Sequence, residues 1–123
     1  MKIATLVARI LLGLMFTVFG INGFLHFIPI PAKPALAMQF INLLDWTHYM
    51  APVFALQISS GILFLANRFV PLALTLIGPV LVNILMFHVL MDLNGMLPAA
   101  IATICWMVLF YSHRAAFAAI FSK

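Results

Sequence analysis

Hydrophobic and polar positions follow one pattern along nearly the whole chain: long apolar runs are separated by short segments rich in turn-forming or charged residues. The clearest run covers residues 71–91, which contain no Asp, Glu, Lys or Arg and end just before Asp92. About 20 apolar residues in a helix, each rising roughly 1.5 Å, cross the roughly 30 Å hydrocarbon core of a bilayer. The pattern therefore predicts a transmembrane helix over this run.

Three other runs have similar composition and are also predicted as spans: residues 3–28, 51–66 and 97–112. The second of these is short for a crossing unless its helix begins earlier, around Thr47. A cleavable signal peptide would have a shorter apolar run than the first, so we expect that run to remain as a span. The resulting prediction is an all-α fold, an integral membrane four-helix bundle in which the whole chain forms a single transmembrane domain.

The connection between the first two spans is longer than a simple turn. Its prolines, which cannot lie inside a regular helix, are Pro29, Pro31 and Pro34. Residues 35–44 are compatible with a helix, and Trp46 and Tyr49 then suit the depth of the lipid head groups. We predict a short interfacial or re-entrant helix between helices 1 and 2, placed where it can cover the outer end of the bundle.

One face of the first span carries small residues. Gly13 and Gly20 lie seven residues apart with Phe16 between them, a spacing that lets a neighbouring helix approach closely. Arg9 shares this face. Its guanidinium group is expected either to reach the head groups or to bind a neighbouring helix or an anionic ligand.

Composition excludes several classes of protein. Hydrophobic residues make up 67% of the chain and charged residues only 7%, too few to cover a soluble domain. The net charge is +4, but the six basic residues are scattered singly, which argues against a nucleic-acid-binding surface. Cys105 is the only cysteine and can form neither an internal disulfide nor a CxxC pair, so a packing role is predicted.

The charges indicate an orientation. With four spans, one side of the membrane collects five of the six basic residues: Lys2, Arg9, Arg68, Arg114 and Lys123. The positive-inside rule places this side, with both termini, in the cytoplasm. The outer side collects Lys33 and the residues best suited to chemistry, which are Asp45, Asp92, His26, His48 and His88.

Several polar residues lie within or beside the apolar runs. His88 and Asp92 have the i, i+4 spacing that lets two side chains meet on a helix, so they are either a satisfied helix end or a proton-handling pair. Asn83 follows Pro79 by one turn, and its amide is expected to bond a carbonyl freed by the proline or a ligand. Gln57 should face the bundle because a lipid-exposed amide lacks partners.

These residues predict a pocket that is apolar with a few polar anchors, the usual form of a small-molecule site. The carbonyls of a quinone need hydrogen-bond donors, and its reduction needs protons, so a quinone is the ligand predicted from this chemistry. The predicted catalytic pair is His88 with Asp92. The predicted ligand-binding residues are Arg9, Asn22, His26, Gln57 and Asn83.

Other sites have weaker support. His26 and His88 are possible axial ligands of a haem in a four-helix bundle, without any further haem signal. A zinc site from His26, His48, His88 and Asp92 lacks the close HxH or HExxH spacing that such sites use, so no metal site is predicted. The chain has no Gly-rich phosphate loop and no nucleophile motif.

Four segments together resemble the DoxX-like family of small bacterial membrane proteins: residues 9–16 (RILLGLMF), 20–27 (GINGFLHF), 67–71 (NRFVP) and 78–88 (GPVLVNILMFH). The resemblance covers nearly the whole chain and implies a four-helix bundle in the bacterial cytoplasmic (inner) membrane. The family is named for a subunit associated with thiosulfate:quinone oxidoreductase, and related members are linked to redox complexes. The chain has no feature specific to thiosulfate, and Cys105 alone provides no sulfur-carrier pair.

The leading hypothesis is a small membrane subunit associated with quinone-linked or other redox chemistry. Two alternatives remain open: a non-catalytic assembly subunit whose polar residues tie helices together, and a binder or transporter of small solutes or lipids. The expected partners are the lipid bilayer and either a membrane redox complex or further copies of the chain.

Overall fold

The computed structural model describes residues 2–29 and 33–122, and it is all-α, as the apolar runs predict. Six α-helices occur in these residues: α1 Lys2–Leu25, α2 Ala35–Thr47, α3 Ala51–Ala66, α4 Val70–Met91, α5 Met96–Ser112 and α6 Arg114–Phe117. Turns of 3₁₀ helix cover Leu93–Gly95 and Ala118–Phe121. Two sequence-based expectations, the basic Lys123 and the helix-breaking Pro31, lie outside the described residues.

Three helical segments are long and apolar enough to cross a membrane: Lys2–Leu25, Val70–Met91 and Leu93–Ser112. The 16 residues of α3 extend only about 24 Å, less than a bilayer core. However, α2 and α3 meet at a bend of 92° and satisfy the same criteria of length and hydropathy when they are taken together. The described residues therefore hold three candidate spans, or four if the bent pair is one span.

The helix ends differ from the predicted ends for local reasons. Helix α1 stops at Leu25 instead of residue 28 because His26 adopts a left-handed backbone conformation, with φ of 53°. Helix α2 continues three residues past the predicted 44 and ends in the same way at His48, with φ of 57°. Helix α4 is continuous through Pro79. Helix α5 ends at Ser112, and the shorter α6 follows after His113.

Glycines allow α1 and α3 to pack closely in opposite directions. Gly23 of α1 lies against Phe54 near the start of α3, whereas Gly13 lies against Leu65 near its end. An ideal Cβ placed on Gly61 would lie 2.9 Å from the carbonyl oxygen of Gly13. The close approach predicted from the glycines of α1 is thus confirmed, and α3 supplies a matching glycine.

The remaining contacts complete a ring of neighbours, since α1 also packs against α5 and α4 packs against both α3 and α5. The fully buried side chains between them include Leu12, Phe64, Leu74, Ile77 and Leu109. Helices α4 and α5 are joined by Trp106, whose Nε1 donates a hydrogen bond to the Leu74 carbonyl oxygen at 3.0 Å. Gly78 leaves room for the indole ring, which an added Cβ would meet at 3.6 Å.

The two ends of this helix assembly have different charge. At one end, called the basic end, the start of α1 meets the ends of α3 and α5, and Lys2 and Arg9 lie there together with the 67–70 turn. Arg9 donates hydrogen bonds to the carbonyl oxygens of Phe64 at 2.6 Å and Leu65 at 3.3 Å. Its positive charge therefore lies at the negative end of the α3 dipole. The opposite end, called the cavity end, holds Lys33 and Asp92.

Candidate functional site: an apolar cavity between four helices

A cavity of about 460 Å³ lies at the cavity end between α1, α3, α4 and α5. Its walls are mostly apolar and include Met15, Phe16, Phe19, Leu81 and Ile84. The connection that follows α1 and Ile41 of α2 also line it, so the segment predicted as a cover does lie over this end. The volume and the apolar lining are typical of a site for a small organic molecule.

Gln57 of α3 lines the cavity, and the residue is only 6% exposed. No hydrogen bond joins its amide to another described residue, and the amide is not among the fully buried groups left without a partner, which are the hydroxyl groups of Thr17 and Ser60. Gln57 reaches this position because Gly20 of α1 has no side chain: an ideal Cβ there would lie 3.1 Å from the Cβ of Gln57. The amide is a group that a ligand in the cavity can bond.

His88 of α4 presents an imidazole ring to the cavity. Its Nδ1 lies 3.1 Å from the backbone carbonyl oxygen of Asp92. Because a carbonyl oxygen only accepts, Nδ1 is the protonated nitrogen, and Nε2 carries the lone pair in the neutral ring. The predicted meeting of His88 with Asp92 is present, but the carboxylate Oδ2 lies 3.9 Å from Nδ1 and the closer contact is to the backbone.

Gly95 leaves space for the ring of His88. An ideal Cβ at this residue would lie 2.6 Å from Cε1 and 2.8 Å from Nδ1 of His88, and 3.0 Å from Oδ2 of Asp92. The turn after α4 therefore has room for the imidazole only because its last residue has no side chain. The sequence marked Asn94-Gly95 as a turn but did not indicate this contact.

Lys33 and Asp92 form a buried ion pair beside the cavity. The Lys33 Nζ lies 2.6 Å from Oδ2 of Asp92, with the side chains 15% and 4% exposed. The Lys33 amine also lies 5.9 Å from the centre of the Phe87 ring, within reach of a cation–π interaction. In the sequence, Lys33 contributed only to the prediction of orientation. Its pairing with an acid could have been inferred, because Lys33 is the single basic residue predicted on the same side as both acids.

Asn22 lines the cavity, as predicted, but its amide already has partners. Its Oδ1 accepts a hydrogen bond from the Ile28 backbone nitrogen at 2.7 Å, and its Nδ2 donates to the Ile28 carbonyl oxygen at 3.4 Å. His26 lies outside the cavity with an exposed ring, 3.4 Å from Asp45. Asn22 thus positions the connection after α1, while His26 pairs with α2.

Two other predicted ligand-binding residues also lie elsewhere. Arg9 is at the basic end, on the carbonyl groups of α3. Asn83 lies on the exposed face of α4, and its Nδ2 donates to the Pro79 carbonyl oxygen at 2.9 Å. Because Pro79 has no N–H group, the carbonyl oxygen of Thr75, four residues earlier, loses its usual donor. Asn83 does not bond that freed oxygen, so this prediction from the sequence is wrong. Of the predicted residues, the structure brings together Asn22, Gln57 and His88, with Asp92 behind His88.

The cavity offers a distinct set of chemical groups. The Gln57 amide can donate to or accept from a ligand, and His88 can accept or release a proton at Nε2. Over residues 2–29 and 33–122, no three His, Cys, Asp or Glu side chains are grouped so that they could hold a metal ion. The arrangement is that of an apolar site with two hydrogen-bonding anchors.

Comparisons of the chain with protein-family models, with curated proteins and with solved structures found no match. The assignment of a function to this cavity therefore depends on the geometry described above.

Proposed function

We propose that the chain is a DoxX-like four-span protein of the bacterial inner membrane whose cavity binds a quinone head group. In this proposal it acts as a small subunit of a membrane redox complex. The observation that carries the proposal is that the amide of Gln57 and the imidazole of His88 both line a mostly apolar cavity.

The surface of the helices supports a membrane location. Large apolar side chains such as Leu14, Val82 and Ile104 are exposed along the outer faces of the long helices. Soluble monomers rarely expose apolar patches of this extent. Trp46 at one end and Tyr111 at the other are also exposed, as in the aromatic belts of membrane proteins. In the orientation predicted by the positive-inside rule, the basic end faces the cytoplasm and the cavity end faces outward.

The cavity suits a quinone ring in size and polarity. A volume of about 460 Å³ accommodates a substituted ring, and Phe16 and Phe19 supply flat apolar surface. The carbonyl oxygens of a quinone are acceptors, so they match the N–H groups of Gln57.

The residues of the chain would bind and supply protons. A quinone takes up two electrons and two protons on reduction, and the electrons would come from a redox centre of the partner complex. His88 lines the cavity, and because its Nδ1 is bonded to the Asp92 carbonyl oxygen, Nε2 is the ring nitrogen left for proton exchange with a ligand. The Lys33–Asp92 ion pair lies beside the ring, and both of its side chains are mostly buried.

The non-catalytic alternative has its own support. Among the described residues, the polar side chains that donate to backbone carbonyl groups of another segment include Arg9, Asn22 and Trp106. Each ties two segments together and needs no ligand to explain its presence. This explanation does not cover Gln57, because its amide forms no hydrogen bond to another helix among the described residues.

The first prediction concerns Gln57→Leu. Binding of a short-chain ubiquinone analogue to the detergent-purified protein should weaken about tenfold, because one buried hydrogen bond to the ligand is lost. The thermal stability of the ligand-free protein should not fall, since the replaced amide has no partner. Asn83→Leu, on the exposed face of α4, is the matched control and should bind the analogue normally.

Two results would contradict the proposal. One is a wild-type protein that neither binds the analogue nor carries quinone through purification. The other is an equal loss of binding in the Gln57 and Asn83 variants. A drop in stability of Gln57→Leu without any change in binding would favour the assembly subunit instead.

A further inference from the structure

A second concave site lies at the basic end, opposite the apolar cavity. This cleft of about 340 Å³ forms where the first turns of α1 meet the ends of α3 and α5. Its polar lining consists of Lys2, Thr5, Arg9, Asn67, Ser112 and His113. Nothing in the proposed chemistry of the cavity uses these residues.

The cleft is positively charged and rich in hydrogen-bond donors. Lys2 and Arg9 both line it, and the lining residues include no acid. The only two acids of the chain, Asp45 and Asp92, belong to the opposite end. The Thr5 hydroxyl donates a hydrogen bond to the Ser112 hydroxyl at 3.3 Å across the α1–α5 contact, which leaves the Ser112 proton for an anion.

Arg9 and His113 are held in place by backbone contacts. Only Nη1 of Arg9 is used by the carbonyl groups at the end of α3, so the other guanidinium nitrogens remain as donors. The Nδ1 of His113 lies 3.0 Å from the Leu109 carbonyl oxygen. These contacts hold both side chains at the cleft before any anion binds.

Apolar side chains of α1 continue outward from the cleft. Ile3, Leu6 and Val7 are 79%, 47% and 56% exposed, and Leu6 also lines the cleft. A ligand that fits both features has an anionic group for the cleft and hydrocarbon for this surface. Basic pockets between helices on the cytoplasmic side of a membrane bind phosphate head groups in this way.

We propose that the cleft binds the phosphate group of an anionic phospholipid in the leaflet at the basic end. The proposal requires the membrane location proposed above but not the quinone. Its phosphate chemistry is shared with free inorganic phosphate, so the experiment must separate these two sources.

The second prediction is a lipid-binding experiment on the full chain purified in a non-ionic detergent. Native mass spectrometry would measure the retention of added dioleoyl phosphatidylglycerol and dioleoyl phosphatidylcholine, and thermal unfolding would be followed with each lipid and with inorganic phosphate. Phosphatidylglycerol should bind several-fold more tightly than phosphatidylcholine, because only the former carries net negative charge. Inorganic phosphate at the same concentration should leave the unfolding temperature unchanged.

Lys2→Gln is the test variant, and Arg68→Gln is the matched control. Lys2 is exposed at the first turn of α1, so its replacement should not impair folding. Its loss should weaken phosphatidylglycerol binding about fivefold, the usual effect of one basic residue at a membrane surface. Arg68 is exposed at the same end but does not line the cleft, so its variant should bind normally.

Three results would overturn the proposal: equal retention of the two lipids, equal weakening by Lys2→Gln and Arg68→Gln, or stabilisation by inorganic phosphate as large as that by phosphatidylglycerol. The second would indicate diffuse surface charge, and the third a soluble anion as the ligand. Gln57→Leu should retain phosphatidylglycerol normally, so a failure of the quinone proposal can be distinguished from a failure of this one.

Discussion

Asp92 has two neighbours with different roles, and only one of them was visible as a pattern in the sequence. The i, i+4 spacing from His88 correctly predicts that the two residues meet on α4. The stronger contact of the carboxylate is with Lys33, 59 residues away along the chain, at 2.6 Å. The ion pair links the connection after α1 to the end of α4, and this connection lines the cavity.

The third prediction concerns this ion pair. Lys33→Met should lower the free energy of unfolding by about 3–5 kcal/mol, because it leaves the carboxylate of Asp92 buried without a counter-ion. Lys33→Met combined with Asp92→Leu should recover most of that loss, because no buried charge then remains. Thermal unfolding of the single and double variants in detergent gives the coupling between the two residues. A double variant as unstable as the sum of the two single variants would show that the pair is not coupled.

At the scale of helices, the closest packing occurs between α1 and α3. An ideal Cβ on Gly61 would meet backbone atoms, at 2.7 Å from the Thr17 nitrogen and 2.9 Å from the Gly13 oxygen. Backbone atoms of a packed helix cannot move aside as the tip of a side chain can. The hydroxyl groups of Thr17 and Ser60 are buried without a hydrogen-bond partner among the described residues, which also reflects this tight contact.

The fourth prediction compares two glycine substitutions. Gly61→Ala should lower the free energy of unfolding by about 1–3 kcal/mol, the usual cost of an extra methyl group in a packed interface. Gly78→Ala is the control, since its Cβ would meet only the Trp106 ring, at an ordinary contact distance of 3.6 Å. Because alanine is the better helix former, Gly78→Ala should be neutral or stabilise by up to about 1 kcal/mol. Equal unfolding temperatures for the two variants would contradict the packing argument.

At the scale of the whole molecule, the proposed membrane location allows two topologies for the bent pair α2 and α3, which are a single crossing or entry and return on one side. Within that proposal, the contacts favour a crossing. Helix α3 runs antiparallel to α1 from Phe54 to Leu65, and its end lies at the basic end beside Arg9. A re-entrant pair would return to the side from which it entered, which would be the cavity end.

The fifth prediction uses cysteine labelling to separate these topologies. In a Cys105→Ala background, Arg68→Cys and Asn94→Cys place single exposed thiols in the two turns that flank α4. With four crossings and a cytoplasmic basic end, an impermeant maleimide should label residue 94 but not residue 68 in intact cells. Labelling of residue 68 but not residue 94 would be expected from three crossings with a re-entrant pair, or from the reverse orientation. Lysis of the cells should expose both positions.

The sequence by itself determined that the fold is all-α, the positions of the long apolar helices and the separation of charge between the two ends. These features follow from periodicity, turn residues and composition, which act over a few neighbouring residues. It also indicated that Gln57 should face inward, because an amide has few partners in lipid.

Only the tertiary structure decided which polar residues share a site. It brought Lys33 to Asp92, aligned Gly95 with the ring of His88, and opposed Gly61 to Gly13. In the folded chain, Asn83 is exposed on α4, and Arg9 donates hydrogen bonds to carbonyl groups at the end of α3. These outcomes depend on the rotation and offset of packed helices, to which residues distant along the chain contribute together, and no local pattern in the sequence specifies them.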